Sequence, residues 1–198
     1  MNRDFFVSLA MNIGCKECLT PTPQDIIAYN VSPFVDMAKT NPYYYCIAEA
    51  KYDNIAQGYI TDLAGKSTCE NGMTYTSNPF CPANTITRIE AAAMLLRQAN
   101  LWNDTLNQNI AHTETISDVT NYWYGYAKKA LEVGLITKNA NNTIGQDDKI
   151  TRGEFAKMAS ITLRFTQCNT TSARTSLAAY IEIQDGSGAR TDNTVFRE

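Results

Sequence analysis

Apolar residues recur at helical spacing in five stretches of the chain, separated by polar segments rich in Asn, Thr, Pro and Gly. Between Arg3 and Gly14, residues Phe5, Phe6, Leu9, Ala10 and Ile13 share one helical face, with Gly14 placed to stop the helix. A second helix is expected from Tyr43 to Tyr52, with Cys46, Ile47 and Ala50 on one face. Asn41-Pro42 is its start signal, since proline suits a first helical position, and Asn54 is its left-handed C-cap. A third runs from about Tyr122 to Val133. The remaining two, ending near Leu101 and Phe165, open on the same word: Ile86-Thr87-Arg88-Ile89-Glu90 and Ile150-Thr151-Arg152-Gly153-Glu154.

That word is a helix start. Thr followed three residues later by Glu is a capping box, in which the Thr hydroxyl accepts from the amide three residues on and the Glu carboxylate accepts from the Thr amide. Thr87, Glu90, Thr151 and Glu154 are thereby given capping roles. Arg88 and Arg152 are not, because a cation in the first turn sits at the unfavourable end of the helix dipole. The arginines are what a function must explain.

Residues 15–32 carry Pro21 and Pro23 and read as loop, with a short helical turn from Pro23 to Ile27. The polar insert from Ile60 to Pro79, holding Gly65, Cys69 and Gly72, is expected to be a long loop pinned by a Cys69–Cys81 bridge. Beyond Phe165, residues 166–176 read as a linker. Leu177 to Gln184 alternates as a strand, and Asp185-Gly186 is a turn signal. Residues 177–198 then form an isolated hairpin, the start of a larger β-domain, or a strand lent to a neighbour.

The two halves of the chain register on one another. Asp36-Met37 aligns with Asp118-Val119, Ala50 with Ala130, and Asn54-Ile55-Ala56 with Gly134-Leu135-Ile136. Phe80-x-Pro82-x3-Ile86-Thr87-Arg88 aligns without a gap on Ile144-x-Gln146-x3-Ile150-Thr151-Arg152. The helix at residues 3–14 then looks like the second half of an earlier repeat.

In that order the motifs resemble the S-layer homology repeat: Phe34-x-Asp36-Met37, an aromatic-rich helix, Ile55-Ala56-x-Gly58-Tyr59, and Phe80-x-Pro82-x3-Ile86-Thr87-Arg88-x-Glu90. The resemblance divides the chain into a partial repeat at 1–32, a repeat at 33–115 and another at 116–165. It implies a mainly α fold, a pseudo-threefold bundle of the helices at 3–14, 87–101 and 151–165, with loop-rich prongs around it. It also implies a non-catalytic, extracellular cell-surface module that holds cell-wall polysaccharide in grooves between prongs, the motif arginines meeting an acidic or pyruvylated sugar. The carbohydrate-binding residues so implied are Arg88, Arg152, Gly58 and Tyr59. Asp36 and Asp118 are added as acceptors from sugar hydroxyls, with loop fixing as the alternative, and Trp123 as an aromatic face for sugar C–H groups.

The chain also departs from that family. The first helix has no intact motif, and either Asn2 or Arg3 takes the arginine position. Gly58-Tyr59 becomes Lys138-Asn139 in the second copy, and the insert at 60–79 has no counterpart there. Cysteines are unusual in the family. An alternative function follows: a structural subunit of a surface layer or filament, with other copies of itself as partners.

Composition narrows the rest. A net charge of −3 and a pI near 5.2 leave no basic stripe for nucleic acid. No run of roughly 18 apolar residues is present for membrane insertion. With no basic-then-apolar leader at Met1 and a sparsely charged, Asn/Thr-rich surface, the chain reads as a trimmed piece of an exported protein. Six cysteines, Cys15, Cys18, Cys46, Cys69, Cys81 and Cys168, favour structural disulfides. Cys15-x-x-Cys18 leaves half a zinc site or a redox pair open, although neither a second such pair nor a βαβ context accompanies it. His112 is the sole histidine and has no nucleophile at a telling spacing, and the carboxylates do not alternate as in a calcium loop. No catalytic residue, cofactor or metal is expected.

Overall fold

The computed structural model describes residues 1–16, 18, 32–60, 62–104, 111 and 115–166. The expected linker and β segment beyond Thr166, the helical turn at Pro23–Ile27, Cys168 and His112 lie outside the described residues. Among those described are five helices, α1 (Arg3–Ile13), α2 (Tyr44–Tyr52), α3 (Arg88–Gln98), α4 (Asn121–Glu132) and α5 (Arg152–Thr162). A two-stranded antiparallel ribbon joins β1 (Ser67–Thr68) and β2 (Thr74–Tyr75).

Helices α1, α3 and α5 each touch the other two, α2 lies against α1, and α4 lies against α3. Every residue of α3 from Ile89 to Gln98 is buried. The reason is its composition: Ala91-Ala92-Ala93 lets neighbours approach on several sides while Ile89, Met94, Leu95 and Leu96 fill the gaps between them. Helix α1 buries Phe6, Val7, Ala10 and Met11, whereas α5 buries only Met158 and Thr162.

Both capping boxes form. Glu90 accepts from the Thr87 amide at 2.9 Å, and Glu154 from the Thr151 amide at 2.8 Å. Helix α1 begins instead at Asn2, whose side chain makes no cap. Its backbone nevertheless repeats the later junction. Asn2 bridges Thr85 as Thr87 bridges Lys149, and the Arg3 amide donates to Asn84 O at 2.8 Å as the Arg88 amide donates to Asp148 O at 2.8 Å. Arg3, not Asn2, therefore holds the arginine position.

Helix ends follow their local chemistry. Asn54 (φ 57°) and Gly134 (φ 77°) take the same left-handed turn after α2 and α4. Gly14 stays right-handed, and Cys15 makes the left-handed step after α1 (φ 56°), as Asn100 does after α3 (φ 54°). Pro42 lies before α2 rather than in its first turn, because the Asn41 side chain accepts from the Tyr43 amide at 2.8 Å and makes Tyr43 the N-cap.

The insert at 60–79 is not a plain loop. Ser67 pairs with Tyr75 and Thr68 with Thr74, the reversal carried by Gly72 at φ 82°. Two-residue strands are too short to show an alternation in the sequence. Cys69–Cys81 ties this ribbon to the loop before α3, and Cys18–Cys46 ties the segment after α1 to α2. Cys15 is also disulfide-bonded. Since Cys18 pairs with Cys46, the Cys15-x-x-Cys18 motif is neither half a zinc site nor a redox pair.

Candidate functional site

Of the polar residues singled out in the sequence, two hold loops. Asp36 accepts from the amides of Phe80 (2.7 Å) and Cys81 (2.6 Å), and Asp118 from those of Ile144 (2.9 Å), Gly145 (2.7 Å) and Gln146 (3.1 Å). Burial works against the Asp118 charge, but these amides outweigh it and hold its carboxyl below the ordinary range. Each aspartate fixes the turn that delivers the chain to α3 or α5.

Two motif arginines, Arg3 and Arg88, reach forward to the next helix start. Arg3 Nη1 donates to Glu90 at 2.7 Å and Nη2 to Gln57 O at 2.7 Å, with the guanidinium 4.2 Å from the centre of the Tyr59 ring and 5.1 Å from that of Phe80. Arg88 makes the equivalent ion pair with Glu154, and its Nη1 donates to Ile144 O at 2.9 Å. An arginine at the positive end of one dipole is thus held by the capping carboxylate of the following helix. Arg152 is exposed and has no partner among the described residues; Phe5 stands in α1 where Glu90 and Glu154 stand in α3 and α5.

A groove of about 470 Å³ gathers the remaining candidates. Gly58 and Tyr59 enter it from the segment before the ribbon, Tyr122 and Trp123 from the first turn of α4, and Ile89, Ala93 and Met94 from α3. Gly58 is required there: a Cβ would stand 2.9 Å from Asn78 Cβ and O. The Tyr59 amide donates to Pro79 O at 2.8 Å, fixing the ring over Arg3. Burial raises the Tyr59 hydroxyl above its usual range, so the ring presents a neutral phenol.

Arg3, Glu90, Arg97, Glu70, Asp147 and Lys149 supply the charge in the groove. Arg97 donates to Gln57 Oε1 at 3.2 Å and pairs with Asp104 at 3.3 Å and with the Tyr126 hydroxyl. Burial pushes Asp104 up, but bonds from Tyr126, Arg97 and Trp102 (2.6 Å) prevail and hold it low. Lys149 reaches Glu70 at 2.6 Å, and that hydrogen bond, with one from the Thr85 amide, draws the Glu70 carboxyl down to about 2.

Gly58, Tyr59 and Trp123 therefore meet in one place, while Arg88, Arg152, Asp36 and Asp118 do not line it. Arg3, Arg97, Tyr122 and Lys149 do, and the sequence reading did not single them out as site residues. Arg3 had one usable signal, the equal spacing from Arg3 to Gly14-Cys15 and from Arg88 to Ala99-Asn100.

A second cavity, of about 90 Å³, repeats the position one junction later. It is lined by Arg88, Glu154, Lys157 and Met158, the counterparts of Arg3, Glu90, Ala93 and Met94, with Leu135, Ile136 and Thr137.

The groove offers aromatic faces beside hydrogen-bonding groups, an arrangement suited to a sugar ring with its apolar C–H face and polar rim. Among the described residues, the one group of His, Cys, Asp and Glu side chains close enough to share a metal is Asp36, Cys69 and Cys81. Its sulfurs are joined to each other and its carboxylate is taken by amides.

The S-layer homology domain family model matches residues 115–156, the span holding Asp118, α4 and the Thr151–Glu154 capping box. Domains of this family generally anchor surface proteins to the cell wall. No curated protein and no solved structure matches the chain.

Proposed function

We propose that the chain is a non-catalytic cell-envelope module that binds cell-wall polysaccharide in the groove between Tyr59 and Trp123 and so anchors a surface protein. The observation that carries this reading is the convergence of the Gly58-Tyr59 pair and the sequence-distant Trp123 on a single groove above the Arg3–Glu90 pair. In this reading the chain comprises two full repeats and the last helix of a preceding one. The mutual packing of α1, α3 and α5 supports a pseudo-threefold centre. Its place is the outer face of the cell, in keeping with its disulfides. Asp36 and Asp118 serve by holding the loops, and Arg88 by joining α3 to α5.

The test is a titration of the full chain with purified cell-wall polysaccharide, followed by tryptophan fluorescence or calorimetry. Saturable binding is expected, weakened about tenfold or more in Trp123→Ala, the loss of one stacked ring with its sugar contacts, and unchanged in Arg152→Ala. Failure of the wild-type chain to bind any wall polysaccharide overturns the proposal.

A second reading, a structural subunit of a surface assembly, draws on one observation. Leu163 and Phe165 after α5 and Phe5 on α1 are 52%, 41% and 40% exposed. Concentration-dependent association in sedimentation, abolished by Leu163→Ser with Phe165→Ser, would favour it.

A further inference from the structure

We propose that Cys15 and Cys168 form a third disulfide, which clasps α5 to α1 and closes the helices between them into a loop that a pull along the chain does not load.

The partner of Cys15 follows by elimination. The sequence holds six cysteines. Cys15 is disulfide-bonded, while Cys18 pairs with Cys46 and Cys69 with Cys81, so Cys168 is the one left for it. Forming the bridge from two thiols passes two electrons and two protons to a disulfide oxidant, which leaves as a dithiol.

The ends of α1 and α5 suit this join. Both helices have 11 residues and start at the same end of the bundle, where Arg3 meets Glu90 and Arg88 meets Glu154. There the Phe6 and Phe155 rings lie 5.4 Å apart, each at the same step from its helix start. Packed helices run about 8–10 Å apart, so the last turns stand within reach of a few residues of chain. Past α5 the chain folds back, the Thr166 amide donating to Thr162 O at 3.2 Å. The Thr166 hydroxyl, shortly before Cys168, is already buried.

Cys15 also stands where local chemistry disfavours it. It takes a left-handed turn (φ 56°), a step made after α2, α3 and α4 by Asn54, Asn100 and Gly134. Cys81 (φ 54°) is the same kind of exception, and it is bridged to Cys69. The helix with most need of a tie is α5, which buries only Met158 and Thr162 while α3 is buried from Ile89 to Gln98. Cys18–Cys46 joins the same turn to α2, so Cys15 and Cys18 make a covalent node for three helices. Tension that enters before Cys15 and leaves after Cys168 crosses the disulfide, and α2 to α5 carry none of it.

Three measurements on the oxidised full chain test this. The first is a tryptic digest without reductant, mapped by mass spectrometry, in which cleavage after Lys16 separates Cys15 from Cys18. The expected product links Asp4–Lys16 to Phe165–Arg174. A bridge from Cys15 to any other cysteine, or to Cys168 of a second chain in a disulfide dimer, overturns the proposal. The second stretches the chain by its two ends in an optical trap, beside the variant Cys15→Asn with Cys168→Ser. At full stretch the variant should extend roughly 400 Å beyond the parent, the length of the residues between the two positions that the other bridges leave free. That difference holds even for a variant that folds poorly, and equal lengths overturn the proposal. The third is hydrogen exchange. Amides of α5 should exchange about tenfold faster or more in the variant, with those of α3 unchanged. No change in α5, or an equal change in every helix, overturns the clasp on α5.

Discussion

The α1–α3 and α3–α5 junctions share one backbone scheme but not the same contents. In both, an N-cap bridges the strand-like residues before the next helix, a motif arginine pairs with the next capping glutamate, and an aspartate holds the intervening turn. At the first junction the pair is sealed beneath Tyr59 and Phe80, and a groove of about 470 Å³ opens beside it. At the second the pair is 21% and 31% exposed, Asn139 stands where Tyr59 would, Lys157 replaces Ala93, and the cavity shrinks to about 90 Å³. Backbone scaffolding and groove are thus separable: the first recurs at both junctions, and the second depends on a few large side chains.

The largest test of that difference is the arginine itself. Arg3→Met strands the buried Glu90 and should cost roughly 3–5 kcal/mol in urea unfolding, whereas Arg88→Met should cost roughly 1–2 kcal/mol. Equal losses would mean that burial does not distinguish the junctions.

Next comes the ribbon, which only the first junction has. Cys69→Ser with Cys81→Ser frees a short loop and should lower stability by about 3 kcal/mol. Cys81 sits at φ 54° where the second junction has Gly145 at φ 68°. Pairing Cys69→Ser with Cys81→Gly should therefore recover about 1 kcal/mol of that loss.

Helix α2 carries Glu49 at the place of Lys129 in α4. Burial, and then Asp53, raise the Glu49 carboxyl from 4.5 to about 7, with Lys16 opposing. The folded state therefore binds this proton more tightly. The stability it contributes is complete below about pH 4.5 and is lost as pH rises through 7. Glu49→Gln should melt like the parent at pH 4 and be more stable at pH 8, by at most roughly 3 kcal/mol. No change in the pH profile would show that the Glu49 carboxyl is not held protonated by burial.

The smallest effect is on binding. Tyr59→Ala should weaken polysaccharide about tenfold, worth about 1.4 kcal/mol, while Asn139→Ala leaves it unchanged. An equal loss from Asn139 would make the second cavity a working site.

Much of the framework was legible because it rests on short-range chemistry. Thr87–Glu90 and Thr151–Glu154 announce helix starts, Asn54 and Gly134 announce left-handed stops, and the ungapped register from Phe80 and Ile144 announces a repeated turn. The ribbon stayed hidden because two-residue strands carry no period, and the choice between Asn2 and Arg3 because α1 lacks the capping words. The site was half legible: Gly58, Tyr59 and Trp123 stood out, but Arg97 reads as an ordinary solvated helix charge until Asp104 and Tyr126 are seen to enclose it.

The sequence by itself determined where the two capped helices begin and that the turns from Phe80 and Ile144 share one register, because caps, turns and periodicity act over a few residues. Which arginine is buried, which is bridged and which is left exposed was decided by tertiary structure alone. The Arg3 and Arg88 guanidiniums each meet a glutamate from the next helix, and only packing brings that carboxylate near. Arg88 and Arg152 occupy identical words, yet one finds Glu154 and the other has no counterpart glutamate, since Phe5 holds that place.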